Sequence, residues 1–406
     1  MIVLFITPRF SQESGGDGLY AFLLARQLQR LQHTVIVFTI KNSKFVKITA
    51  REEDSIESSI CEEYETTDAN ELEKNFYSRA ALRSFRSLLL GCSPDVIHIH
   101  GIHQYFTLSV GLALKGLRLP LLYTLHDYKI LCGNAGFFSD HSGEPCIRCL
   151  HGNSLYPLIE RCKQDSFGLS VATSLQMFAW HAMNFIGRVN RFHAPSAFAF
   201  DLLSKNVRFT HKLTAIRYPI LEQQSEARHL SLGDVNIVFV GRMVPHKGAA
   251  IFAEAVKSFS VPIHVFGDGP EFPRVKELLG TNSNVTLHGW SARSDIQSYV
   301  GENTIVVLPY LTHETFCFAV LEAMLQGACV VTTSRGAIPE LVEHNVNGII
   351  VENPTPEDFH RAIADLLLEP SRIRALGKVA LQIKNDLDSW EKHATKIVTL
   401  YKTLIA

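Results

Sequence analysis

Two glutamates eight positions apart, Glu314 and Glu322 in the segment ETFCFAVLEAMLQG, have the types and spacing to do chemistry together. Glu322 lies in an apolar helical run with Phe318, Leu321 and Leu325, whereas Glu314 precedes that run beside Thr315, where a helix would start. One carboxylate can therefore reach a site at the helix mouth from outside, and the other from the first or second turn. The backbone N–H groups of Phe316, Cys317 and Phe318 fall at that start, where unpaired donors attract phosphate. The segment reads as an anion cradle with two carboxylates directed at ribose or sugar hydroxyls. The plainer alternative is a surface glutamate followed by a solvated helical one.

Cations with matching positions lie upstream. The strand Asn236 to Val240 runs directly into GRMVPHKG, which sets Arg242 and Lys247 between Gly241 and Gly248. Two cations on one loop can clamp a diphosphate, Arg by its fork and Lys as a point charge. The next strand ends in FGDGP, where Gly267 and Gly269 permit a tight turn and close approach of a nucleotide. Near the N-terminus, SQESGGDG puts Gly15 and Gly16 ahead of a helix beginning near Leu19, a second phosphate-facing helix start. It is not a G-x-G-x-x-G fingerprint, which argues against a dinucleotide dehydrogenase.

These loops need strands and helices to hold them. At 406 residues and 46% hydrophobic, the chain exceeds one compact core, so two domains are expected. With 39 basic and 40 acidic residues the formal charge is -1, which gives no net pull toward nucleic acid and makes any phosphate binding local. Strand-like runs alternate with amphipathic helical runs in both halves, the pattern of α/β domains with parallel sheets covered on both faces. Strands are expected at Ile2 to Thr7, Thr34 to Ile40, Asp95 to His100 and Leu121 to His126, with helices near Leu19 to Leu31, Glu71 to Leu90 and Phe106 to Leu117. The polar stretch Thr49 to Asn75 reads as a surface excursion. After the polar segment Glu222 to Gly233, further strands are expected at Val235 to Val240, Pro262 to Phe266, Asn284 to Leu287, Thr304 to Leu308, Ala328 to Thr333 and Gly348 to Val351. In such sheets ligands bind at the carboxyl ends of strands, and the residues singled out all follow strands. MIVLFITPRF has no basic n-region and reads as a buried strand and not a signal peptide, so a cytoplasmic location is expected. Lys115, Arg118 and Pro120 interrupt the one candidate span, Tyr105 to Leu125.

Taken in order, SGGDG, LHDY, GRMVPHKG, FGDGP, ETFCFAVLEAM and RGAIPELVEHNVNG resemble the family-4 retaining glycosyltransferases of GT-B fold, over nearly the whole chain. The resemblance implies two doubly wound Rossmann-like domains facing across a cleft: an acceptor-side domain at 1–218, with a cysteine-containing insertion at about 130–165, a nucleotide-sugar donor domain at 219–388, and a C-terminal helix at 389–406 crossing back to the first. It implies that Arg242 and Lys247 hold the donor diphosphate, Glu322 meets the ribose, Glu314 contacts the transferred sugar, His126 of LHDY sits over that sugar, and Gly16 touches the phosphate end. No cofactor is required for that chemistry. The partners implied are a nucleotide sugar and a glycan or lipid-linked acceptor, in polysaccharide or glycolipid assembly. A nucleotide-sugar epimerase and a silent nucleotide-sugar-binding protein are the rival readings. Cys317 departs from the pattern, since the family usually has Gly there, and IRYPI replaces the more usual Asn-Gly turn between the domains.

Two features fall outside this set. Cys132, Cys146, Cys149 and Cys162 are spaced as a tetrathiolate structural zinc site would be, the alternatives being reduced thiols or a redox-labile pair. The run Ser166 to Gly187 has no Asp, Glu, Lys or Arg, and Phe167, Val171, Leu175, Phe178, Ala182 and Phe185 share one helical stripe flanked by Arg161, Lys163, Arg188 and Arg191. A helix whose stripe packs on its own domain is the first reading. The second is peripheral contact with an anionic membrane leaflet through Trp180, Met177 and their neighbours.

Overall fold

Short β-branched and aromatic runs make buried parallel strands here, because both faces of each sheet are covered. The computed structural model describes residues 1–50, 60–66, 76–221 and 235–406. These residues form two units, one of Met1–Ala135, Arg148–Pro219 and Asp388–Ala406, the other of Gly136–Ile147 and Ile220–Leu387. The polar segment Glu222 to Gly233 lies outside the described residues.

The first unit carries an eight-stranded sheet built from β1 (Ile2–Ile6), β2 (Thr34–Lys41), β3 (Lys44–Ala50), β4 (Ile60–Thr66), β5 (Val96–Ile99) and β6 (Leu121–Thr124). The chain then leaves for a short hairpin, β7 (Phe138–Ser139) with β8 (Glu144–Pro145), and returns for β9 (Arg191–Ala194) and β10 (Leu213–Ala215). The sheet order is β10-β9-β6-β5-β1-β2-β3-β4. Pairing is parallel except where β3 runs antiparallel to β2 and β4. Three expectations change. The stretch Thr49 to Asn75 is not all excursion, since its Ile60–Thr66 part is a strand continuing the sheet by a charged edge in which Lys47 pairs with Glu62. The hairpin, expected as part of an insertion in the first domain, belongs to the second unit, where the N–H of His313 donates to Gly136 O at 3.2 Å. The strands β9 and β10 and the helix Ala197–Ser204 were not expected.

The second unit has β11 (Asn236–Val240), β12 (Ile263–Phe266), β13 (Val285–Gly289), β14 (Thr304–Leu308), β15 (Cys329–Thr333) and β16 (Ile349–Val351), in the order β13-β12-β11-β14-β15-β16 with every pair parallel. Its core runs under helices Ala249–Val256, Pro356–Leu368 and Pro370–Ala380, through Phe239, Phe252, Val256, Val307, Phe359 and Ile363. Among the described residues, no helix is long and apolar enough to cross a membrane.

The C-terminal helix Trp390–Ile405 belongs to the first unit, and polar contacts inside an aromatic core hold it there. His393 Nε2 lies 2.7 Å from the Tyr20 hydroxyl, and the Tyr401 hydroxyl 2.6 Å from His98 Nδ1. His98 continues through Thr124 Oγ1 at 2.6 Å to His193 at 3.0 Å, whose other nitrogen meets Ile216 O at 2.7 Å. Tyr20 stacks on Tyr218 with ring centroids 4.3 Å apart. Burial keeps these histidines neutral: it lowers His98 and His100 far below their usual range, His193 to about 4 and His393 to about 3, with the neighbouring histidines adding to the effect at His98, His100 and His393. The unfolded chain, whose histidines titrate near 6.5, therefore binds more protons than the folded one at mildly acidic pH. Stability from this core is fully present above that value and is lost progressively as pH falls from it toward the folded values, about 4 for His193 and about 3 for His393. Thermal melts should show a Tm lower by about 5 °C or more at pH 5 than at pH 7.5; a flat profile would contradict a neutral histidine core.

Candidate active site

In the second sheet, chain order reverses between β11 and β14, which lie side by side with Asn236 opposite Thr304 and Val238 opposite Val306. The loops leaving their carboxyl ends must diverge, and this opens the crevice in which doubly wound sheets bind ligands. The loop after β11 carries Arg242 and Lys247, and the segment after β14 carries Glu314. The sequence separates Lys247 from Glu314 by more than sixty residues, yet the Lys247 ammonium donates to Glu314 Oε1 at 2.8 Å.

That contact is held from several sides. The Thr312 hydroxyl donates to the same oxygen at 3.0 Å, and Lys247 Nζ stands 4.3 Å above the Tyr310 ring. Burial acts to raise the Glu314 carboxyl, but the charge and hydrogen bond of Lys247, with the Thr312 hydroxyl, hold it below the ordinary value, so it is ionised at neutral pH. The backbone of Glu314 is fixed as well: it bridges Gly336, and Ala337 N–H donates to its carbonyl at 2.9 Å. Gly336 has φ +67, and a Cβ there would lie 2.3 Å from both N and O of Glu314, so only glycine fits.

Glu322 sits apart from this pair, on the helix Phe318–Leu325, and its Oε1 lies 3.5 Å from Arg293 Nε. Burial raises its carboxyl and Arg293 offsets only part of that rise. Arg293 was missed by sequence reasoning; its one signal is a basic residue shortly after a strand, WSAR following β13, where it opens the short helix Arg293–Gln297. Cys317 is the N-cap of this helix and adopts φ +76, ψ +75, a left-handed conformation that a non-glycine residue holds under strain. Burial pushes its thiol up to about 12, so it is a neutral group there. The helical turn begins at Phe318, so Phe316 lies one residue outside the cap and its N–H is not one of the helix-start donors.

Arg242 is exposed at the head of its loop, and Lys247 closes a short 3-10 turn, Pro245–Lys247. Gly267 and Gly269 answer to the protein's own backbone: Cβ atoms there would meet Gly241 O at 1.9 Å and Met243 O at 2.5 Å. Their absence lets the loops after β11 and β12 lie against one another, which sets the course of the Arg242 loop.

The first unit places its residues as follows. Gly15 is the N-cap and Gly16 the first residue of the helix Gly16–Arg30, and a Cβ on Gly15 would meet only Asp17 Oδ1, at 3.7 Å. His126, half-buried after β6, has Nδ1 2.7 Å from the Tyr218 hydroxyl and Nε2 3.1 Å from His100 Nδ1. Burial lowers it to about 4, so it is a neutral ring of fixed orientation.

The four-cysteine expectation meets a different arrangement. Among the described residues, no group of three or more His, Cys, Asp or Glu side chains is placed to hold a metal ion. Cys132, Cys149 and Cys162 are buried thiols of the first unit, while Cys146 is half-buried in the hairpin segment of the second. All four are free of disulfides. Spacing along the chain measured none of this, because the hairpin divides the run.

Comparison with known proteins places these observations. A profile described as Glycosyltransferase Family 4 matches residues 14–220, half of the chain, and one described as Glycosyl transferases group 1 matches residues 234–369. An uncharacterised glycosyltransferase of Methanocaldococcus jannaschii is 25% identical over 319 residues, covering 76% of this chain and 75% of that protein. The GDP-mannose-dependent alpha-(1-6)-phosphatidylinositol monomannoside mannosyltransferase of Mycobacterium tuberculosis is 25% identical over 175 residues, 40% of this chain and 46% of its own. The chain thus spans about half the length of several curated relatives that it matches. The crystal structure of Anabaena HepE in complex with UDP-glucose aligns with a TM-score of 0.68 at 18% identity, over 100% of both chains. That likeness shows the fold, GT-B with its two doubly wound domains, and the profile over half of the sequence shows the family: this chain belongs to Glycosyltransferase Family 4.

Proposed function

We propose that the chain transfers a sugar from a nucleotide-sugar donor to a glycan or lipid-linked glycan, with retention of configuration, in polysaccharide or glycolipid assembly. Peripheral contact with the inner leaflet of a membrane is part of this reading. The observation that carries it is the Lys247–Glu314 pair at the switch point of the second sheet, which sets a fixed cation and an ionised carboxylate side by side. The UDP-glucose bound to the Anabaena protein supports a nucleotide sugar as the ligand class, and the mannosyltransferase supports a lipid-linked acceptor.

The chemistry follows from charge. When the bond between the anomeric carbon and the phosphate oxygen breaks, its electron pair leaves with the phosphate and the sugar gains positive character. Arg242 and Lys247 would take the growing negative charge, and the helix start at Phe318 would add its dipole. Glu314, ionised and held by its backbone bridge, would stand against the sugar. The acceptor hydroxyl would bond to the anomeric carbon on the face that the phosphate leaves, and its proton would pass to the departing phosphate oxygen. Glu322, braced by Arg293, would hold the ribose hydroxyls.

A panel of nucleotide sugars read by thermal shift should raise the Tm for one donor class, and the product made from it should keep the donor's anomeric configuration. An inverted product would refute the retaining reading.

Lys247→Ala and Arg242→Ala should each lower turnover by about a hundredfold or more and weaken binding of the nucleoside diphosphate. Unchanged diphosphate affinity by calorimetry in both would remove the clamp.

The two glutamates should part company. Glu322→Ala should weaken free nucleotide binding, whereas Glu314→Gln, which removes the charge now paired with Lys247, should leave it equal or tighter while turnover falls about a hundredfold. Equal losses of nucleotide affinity in the two variants would show that the division of roles is wrong.

A further inference from the structure

The helix Phe167–Ala182 is built inside out. Its Ser170, Thr173, Ser174 and Gln176 face the protein together with Met177 and Trp180, which are 3% and 5% exposed. Of the stripe expected to pack inward, Phe185 is buried at 2% and Val171 half-buried, while Phe167 at 62%, Leu175 at 58% and Phe178 at 64% point to solvent. Trp180 and Met177, expected at a lipid contact, are core residues. Trp180 stands edge-on to His103 with centroids 4.7 Å apart, and Met177 lies where a Cβ on Gly133 would approach its sulfur to 3.3 Å. The reason is local: the inner face packs on the close backbone at Gly111 and Gly133, and Gln176 spends its amide on His103 O at 3.3 Å.

The apolar surface does not stop at this helix. The short helix Tyr156–Ile159 packs beside it and exposes Ile159, at 64%, with Leu155 just before it. Helix Thr107–Lys115 lies against Trp180 through Gly111 and exposes Leu112. Large exposed apolar side chains gathered in this way mark a surface that is covered in use.

Charge selects what covers it. From Arg148 to Arg191, both included, there are five basic residues and two acidic ones, in a chain whose total is -1. Arg161, two residues after Ile159, and Lys115 and Arg118, at and just past the end of the helix that exposes Leu112, are exposed, and the helix Phe167–Ala182 itself carries no charge. Glu160 is paired with Arg148, and Asp165 lies exposed in the turn before the helix. Two of the basic residues expected to flank the contact serve the fold: Arg188 donates to the carbonyls of Leu114, Leu117 and Leu119, and Arg191 to His211 O. An apolar, uncharged strip with cations at its margin matches acyl chains beneath anionic headgroups.

We propose that this face, centred on Phe167, Leu175 and Phe178, is the surface by which the chain docks on an anionic phospholipid bilayer. The proposal deepens the membrane contact in the reading above and rests on it, while its test needs no turnover. Full-length protein is floated with vesicles of phosphatidylcholine alone and of phosphatidylcholine with phosphatidylglycerol, at low and high salt. Wild type should float with the anionic vesicles and be released as salt screens the margin. The double variant Leu175→Glu/Phe178→Glu should bind about tenfold less or weaker, with Tm and nucleoside diphosphate affinity unchanged because both positions are exposed. The triple variant Lys115→Glu/Arg118→Glu/Arg161→Glu should lose the dependence on lipid charge. Wild type that floats with neither vesicle would refute membrane docking itself. Wild type and double variant that float equally would refute this face, and a concentration-dependent dimer lost in the double variant, without vesicle binding, would assign the face to a second copy of the chain. Donor binding in the same preparations, intact or absent, reports separately on the catalytic reading.

Discussion

The candidate site of this molecule depends on one topological constraint, the reversal of strand order between β11 and β14. Parallel neighbours whose connections leave in opposite directions cannot close the space above their carboxyl ends with their own loops. A cation-bearing loop then meets a carboxylate-bearing segment there, and the Lys247–Glu314 contact is the physical record of that meeting. Such a pair is stable at low exposure because the carboxylate also accepts from Thr312 and the ammonium rests on the Tyr310 ring. Around it the backbone is forced into close approaches, Gly336 against Glu314 and Gly267 against Gly241, which fix where the charges stand before any ligand arrives.

A different economy of polar groups holds the first unit. Five histidines, His98, His100, His126, His193 and His393, and three tyrosines, Tyr20, Tyr218 and Tyr401, lie within hydrogen-bond or ring contact of one another in a core that burial keeps neutral. Neutral imidazole offers one donor and one acceptor, so each ring can link two partners without burying a charge. The network ties the last helix of the chain to strands formed near its beginning, and it orients His126 through Tyr218 and His100. The residue that the family resemblance assigns to the donor sugar is thus held by the same network that docks the C-terminal helix.

Cys317 and the inverted helix are both places where a local rule is broken. A left-handed cap favours glycine, and a thiol there keeps backbone strain beside the carboxylates. A soluble helix turns its apolar stripe inward, and Phe167–Ala182 turns Phe167, Leu175 and Phe178 outward. In each case the local preference is overruled by neighbours that leave one arrangement free: the turn between Glu314 and Phe318 for the cysteine, and the close-packed glycines Gly111 and Gly133 for the helix.

The sequence by itself determined the fold class, the strands of the second sheet nearly to the residue, and the charged groups of the loops after β11 and β14, because buried apolar strands and the loops after them leave compositional marks. It also determined that Glu314 and Glu322 would differ in position, since one precedes a helix and the other lies within it. Only the tertiary structure decided who partners whom. Lys247 with Glu314 and Arg293 with Glu322 are pairs distant along the chain, set by sheet order. Periodicity named the stripe Phe167, Leu175 and Phe178 without saying which way it faces, since a helical pattern has a face but no direction until something packs on the other side. Cysteine spacing likewise could not foresee that the hairpin carrying Cys146 joins the other unit, because spacing measures distance along a chain and a site is made by distance in space.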